Sequence, residues 1–200
     1  MKLNRTLYLR ICTALALVFI ASLGQAAPIR YTLDESASQV GFIYTLNGAD
    51  QKGMMPVMRA DLMIDPQNLR ASTVDVLVNV QQTRTGLIFA TDALKAPSVL
   101  DATLYPTIRF VATEIRLGAN GRLSEGAQIV GNITLRGVTR PTTFQASVYR
   151  IQGSAPDDLS TLTVRLTGSL RRSDFGADGY SDLVGDIVDL DIFARIQAER

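Results

Sequence analysis

Asp174, Asp178, Asp182 and Asp186 recur at every fourth position between two apolar segments. Carboxylate oxygens so spaced suit a hard cation, calcium above all. The residue order of an EF-hand loop is absent, however. Gly176, Gly179 and Gly185 also oppose a helix that would align the four acids, so a solvated loop is the expectation. Asp189 and Asp191 form a carboxylate pair of the kind that hydrolyses glycosidic bonds. On the outer face of a strand, water would leave their pKa values untuned. Asp174-Phe175-Gly176 matches the metal-binding tripeptide of kinases, but the chain has no Gly-rich loop and no catalytic-loop His. Asn132-Ile133-Thr134 fits a glycosylation acceptor, yet it lies inside a strand-like segment and is read as a chance match.

Two absences bound the remaining chemistry. There is no His, and the single cysteine, Cys12, sits in the N-terminal apolar run. Beyond that run, Ser-His-Asp and Cys-His catalysis, zinc sites built on His or Cys, and disulfides are all excluded. No metal and no cofactor are expected. A charged fraction of 20% with a formal net charge of +1 does not suit a nucleic-acid partner.

The first residues explain where Cys12 belongs. Lys2, Arg5 and Arg10 precede a run of 13 mostly apolar residues, Ile11 to Leu23, and Gly24-Gln25-Ala26 supplies small residues for a cut. This is the three-part layout of an export signal. Pro28 disfavours a cut directly before it, which places cleavage after Ala26. The run is short of the roughly 20 residues that span a bilayer. Residues 1–26 are therefore expected to be removed, leaving a domain over 27–200 with no membrane span. Losing Lys2, Arg5 and Arg10 takes the net charge from +1 to −2. An exported domain free of disulfides points to a bacterial periplasm.

Residues 27–200 are dominated by apolar residues at alternate positions. Val40, Phe42 and Tyr44 form one such set; Val74, Val76, Val78 and Val80 another; and Val188, Leu190, Ile192, Ala194 and Ile196 a third. Period two with one apolar face marks half-buried antiparallel strands. Long strands are predicted at 38–46, 53–64, 72–80, 105–117, 127–136, 141–151, 159–170 and 185–197, after a short one at 29–33. Asn47-Gly48 and Asn120-Gly121 are hairpin dipeptides. Residues 86–101 break the alternation and read as a short helix and loop. Strands this long need a closed sheet to protect their edges. The expected fold is all-β: a lipocalin-like antiparallel barrel of about eight strands with a short helical capping segment. Such a barrel is either filled by side chains or holds one slim ligand. Alternation does not distinguish the two.

Several stretches together resemble the YceI-like family of periplasmic polyisoprenoid-binding proteins. They are Tyr31-Thr32-Leu33-Asp34, Ser38-Gln39-Val40-Gly41-Phe42, Leu62-Met63-Ile64-Asp65 and Asp92-Ala93-Leu94-Lys95. Tyr105-Pro106-Thr107-Ile108-Arg109-Phe110, Leu135-Arg136-Gly137-Val138-Thr139-Arg140-Pro141, Arg172-Ser173-Asp174-Phe175-Gly176 and Val184-Gly185-Asp186-Ile187-Val188 follow in order. The chain departs from the family's habit at Ala37, Thr91 and Val99-Leu100. The resemblance implies a long apolar pocket that takes an isoprenoid-type lipid, of quinone or prenyl phosphate class, and it implies no enzyme activity. On this reading the chain's tail would meet Phe42, Tyr44, Val76, Val78, Ile108, Phe110, Ile133, Leu135, Phe144, Leu166, Leu190 and Ile192. Arg84, Arg172 and Tyr180 are candidates for the polar head, since Arg can fork onto phosphate. Two other readings stay open. One is a packed barrel acting as a stress-related interaction module; the other is a carboxylate enzyme working on lipid headgroups. A homodimer is also left open.

Overall fold

The computed structural model describes residues 28–118 and 126–199. Residues 1–26, read as an export signal, Cys12, and the Asn120-Gly121 dipeptide, read as a hairpin turn, lie outside them. Among the described residues, eleven strands form one antiparallel sheet in the order β1-β4-β5-β7-β8-β9-β10-β11-β2-β3-β6, and a β1–β11 pairing closes it.

The eleven strands occupy eight barrel positions. β1 (Ile29–Leu33) and β2 (Gln39–Leu46) both pair with β11 (Val184–Ala198), one with its end and the other with its beginning. They are halves of one stave, broken at a 3-10 turn over Glu35–Ala37. Asp34 caps that turn, its carboxylate accepting from the Ser36 and Ala37 amides at 3.1 and 3.2 Å. β3 (Ala49–Met55) and β4 (Val57–Ile64) form a second stave, pairing with β2 and β1 respectively. Sequence reading placed one strand at 53–64; the structure starts it at Ala49 and breaks it at Pro56, which has no N–H for the ladder. β5 (Thr73–Asn79) and β6 (Arg84–Thr85) make the third stave. β7 (Thr107–Arg116), β8 (Ala127–Leu135), β9 (Val138–Arg150) and β10 (Thr161–Arg171) complete the wall before β11.

Two hairpins use turns with φ above zero at both central residues. In Asn47-Gly48 the angles are 50° and 78°, and in Arg136-Gly137 they are 50° and 73°. That geometry matches the twist of paired strands. It carries β9 back to Val138, earlier than the expected 141. Pro141 is tolerated there because β10 pairs with β9 only from Gln145 onward.

Up-and-down order puts four connections at one end of the barrel: 47–48, 86–106, 136–137 and 172–183. The second carries the helix α1 (Ile88–Lys95). These connections are stitched together. Arg136 donates to the carbonyls of Pro97 and Val99 at 2.6 and 2.7 Å. The Gly179 amide reaches Ser98 O, and the Asn47 amide reaches Leu183 O, both at 2.8 Å. The buried side chains fall into two clusters. One, around Phe42, Val78, Ile133, Leu135 and Phe175, lies toward the α1 end. The other, around Tyr31, Leu62, Leu162 and Ile196, lies toward the opposite end.

Candidate functional site: an apolar cavity inside the barrel

A cavity of about 620 Å³ runs through the barrel. That is within the range of small-molecule sites. All twelve side chains expected to meet a lipid tail line it: Phe42, Tyr44, Val76, Val78, Ile108, Phe110, Ile133, Leu135, Phe144, Leu166, Leu190 and Ile192. The lining extends further, to Met55, Leu62 and Val74 on the wall and to Ala90, Ala93 and Leu94 on α1. Leu62 and Val74 follow the same alternation. The α1 contribution had no readable signal, because an eight-residue amphipathic segment does not say which end of a barrel it covers. On β7 a bulge between Ala112 and Glu114 changes the parity, so Ile115 points inward although Ile108 and Phe110 are even-numbered.

Three aromatic rings explain why the interior is open. Each phenylalanine ring is seated over a glycine of a neighbouring strand. A Cβ built on Gly53 would stand 2.1 Å from Phe42 Cζ. One on Gly131 would stand 2.6 Å from the Phe110 ring, and one on Gly168 2.9 Å from Phe144. Phe42 and Gly53 are directly opposite on β2 and β3. The missing side chain leaves a recess that the ring occupies, so ring volume sits in the wall and not in the lumen. Phe110 and Phe144 meet edge to face at 5.2 Å, which fixes both rings.

Polar groups on the lining are few. Tyr44 is 7% exposed, and its hydroxyl is buried with no hydrogen-bond partner. Arg172 is 7% exposed. Its Nε donates to Gly185 O at 3.0 Å, Nη1 to Ala177 O and Gly179 O, and Nη2 to Val184 O at 3.0 Å. These bonds close the 172–183 connection on itself. Of the five N–H donors of a guanidinium, one remains. All four of these acceptors are backbone carbonyls, and none is a carboxylate. Tyr180 lies at the rim, with φ of 59°. Arg84 is not brought to the cavity. It stands on the outer surface, in a shallow groove with Lys52 and Asp191. Sequence reading could not separate these two arginines, since both precede connections at the same end of the barrel.

The acids lie elsewhere. Asp75 takes a two-pronged bond from Arg109 at 3.0 and 2.6 Å, and Asp191 one from Arg165 at 2.8 and 3.0 Å, both on the outer face. These guanidiniums hold both carboxyls below their ordinary value. Asp186 is lowered first by the Ser173 amide, then by the Ser173 hydroxyl and Arg171. It is thus engaged in closing the turn before β11. Among the described residues, no three acids converge on a point that could hold a metal ion. No described helix is long and apolar enough to cross a membrane.

The barrel is similar to solved structures. BcnA of Burkholderia cenocepacia superposes with a TM-score of 0.70 at 19% identity, covering 82% of this chain and 99% of BcnA. A polyisoprenoid binding domain from Saccharophagus degradans gives 0.62 at 12% identity, over 86% of this chain and 99% of that domain. A Campylobacter jejuni YCEI protein gives 0.57 at 20% identity, over 71% and 81%. In sequence, a UPF0312 protein of Yersinia enterocolitica is 25% identical over 163 residues, 80% of this chain and 81% of that protein. The YceI-like domain matches residues 31–196, nearly the whole described barrel, and the chain belongs to that family.

Proposed function

We propose that the protein binds a long-chain amphiphilic lipid of isoprenoid type and carries it in the periplasm, without acting on it chemically. One observation supports this above the rest. The barrel lumen is lined by apolar side chains from all eight staves, and its three large rings are recessed onto glycines, so the space is built to stay open. A hydrocarbon chain is the ligand such a space suits. Each methylene withdrawn from water gains about 0.8 kcal/mol, so ten gain about 8 kcal/mol before the cost of immobilisation. The polyisoprenoid binding domain from Saccharophagus degradans has the same fold and is named for such ligands.

In this reading the tail lies along Phe110, Ile133 and Leu190, and the head rests at the α1 end beside Tyr180. Between the two head classes, the arrangement favours the uncharged quinone type. Arg172 keeps one free N–H and cannot fork onto a phosphate. Tyr44 has a hydroxyl that a ligand oxygen would satisfy. Asp75 and Asp191 stand on the outer face paired with arginines, and no described carboxyl lines the cavity, which favours binding over hydrolysis. The apolar run before Gly24-Gln25-Ala26 supports export.

The test is extraction of the purified protein with organic solvent, followed by mass spectrometry of what is released. A stoichiometric isoprenoid-type lipid is expected. Protein that never carries lipid, from cells or after incubation with quinone and prenyl phosphate, would overturn the proposal.

A further inference from the structure

The α1 end of the barrel is apolar on its outside as well as its inside. Ile88 is 85% exposed, Phe89 64%, Leu104 65%, Tyr180 48% and Leu183 45%. Phe89, Tyr180 and Leu183 also line the cavity, so the patch and the lumen are one continuous apolar surface. Ile88 and Phe89 open α1 in its first turn, after Leu87, whose side chain offers no cap. Tyr180 is fixed in the left-handed region, its carbonyl accepting from the Leu183 and Val184 amides. These side chains project from anchored backbone.

We propose that this end docks on the surface of a zwitterionic lipid bilayer, with Ile88, Phe89 and Leu104 inserted among the acyl chains and the cavity opening onto them. The inference rests on the reading that the cavity takes a lipid chain. Three features select the partner. The patch comprises about five side chains, whereas a stable protein interface engages roughly 20–30 residues a side. A second copy of this chain would therefore be held weakly. The side chains are convex projections, which a fluid bilayer accommodates without a matching pocket. The charges decide the lipid. Asp92, Asp178 and Asp182 flank the same segments and balance Arg84, Lys95 and Arg136, whose guanidinium keeps its charge while donating to the Pro97 and Val99 carbonyls. There is no basic excess, so an anionic surface is not attracted.

The experiment is co-sedimentation of the purified protein, its N-terminus established by intact mass, with phosphatidylcholine vesicles. A second series contains one-third phosphatidylglycerol. Wild type is expected to partition onto both, no more strongly onto the anionic one. Ile88→Glu and Leu104→Glu, both outside the cavity lining, should each lower partitioning at least fivefold with unchanged thermal melts. Absence of wild-type binding, binding unmoved by either substitution, or binding only to the anionic vesicles would overturn the proposal. So would sedimentation equilibrium showing a dimer that Ile88→Glu dissociates. Lipid extraction separates this inference from the one beneath it. Protein that carries lipid but ignores vesicles refutes docking alone; protein that binds vesicles but carries no lipid refutes the cavity reading.

Discussion

Gly53→Ala tests whether the lumen is ligand space or a packed core. Gly53 is outside the left-handed region, so its backbone accepts alanine. The new methyl would stand 2.1 Å from Phe42 Cζ, 2.5 Å from Cε2 and 2.7 Å from Cε1. Ordinary contact begins near 3.4 Å, so the ring must leave the wall by about 1.3 Å or more. The only direction away from β3 is the lumen. In a filled core that displacement costs about 1–3 kcal/mol. At about 2–4 °C per kcal/mol for a domain of this size, the melt would fall by up to roughly 12 °C. In an open lumen the ring swings into empty space, and alanine's lower chain entropy in a strand returns about 0.5–1 kcal/mol. The lipid-free protein should then keep its stability within about 1 kcal/mol while its lipid load drops at least fivefold. Adding Phe42→Leu should restore the load, because the obstructing ring is gone. Denaturant melts of delipidated protein and mass spectrometry of extracted lipid give the two readouts. A loss near 3 kcal/mol with an undiminished lipid load would refute the reasoning.

Other expectations follow from the same geometry. Ile133→Trp should expel lipid while leaving the lipid-free melt within about 1 kcal/mol, since the indole enters the cavity; a large stability loss instead would mark a packed wall. Arg172→Met should destabilise by about 3 kcal/mol or more in urea melts, because one buried and three half-buried carbonyls lose their donor, and Arg172→Lys should not rescue it, since an ammonium cannot make the planar fork. Stability should be flat between about pH 5.5 and 8.5, as the chain has no His. Below that range it should decline. The folded pKa values of Asp75, Asp186 and Asp191 lie under the ordinary 3.8, so their contribution is present above that value and is lost as pH falls through the lowered ones. Thermal melts across pH check both limbs. Intact mass of exported protein should begin at Ala27, and EDTA should leave its melt unchanged.

Alternation is a property of neighbouring residues, and what depends on it alone was legible in the sequence. Val76, Val78, Leu190 and Ile192 share a face because successive strand side chains point to opposite sides. These four line the cavity. Closure was also legible, since eight long strands with apolar faces have no other way to shelter their edges. What the strands meet across the barrel was not. Gly53, Gly131 and Gly168 read only as weak strand positions until pairing set Phe42, Phe110 and Phe144 over them. Arg172 and Arg84 looked alike until the 172–183 connection folded its carbonyls around one and left the other on the outer surface. Whether the lumen is filled or open depends on contacts between residues far apart in the chain. Side-chain period carries no record of those contacts, and only the closed barrel brings them together.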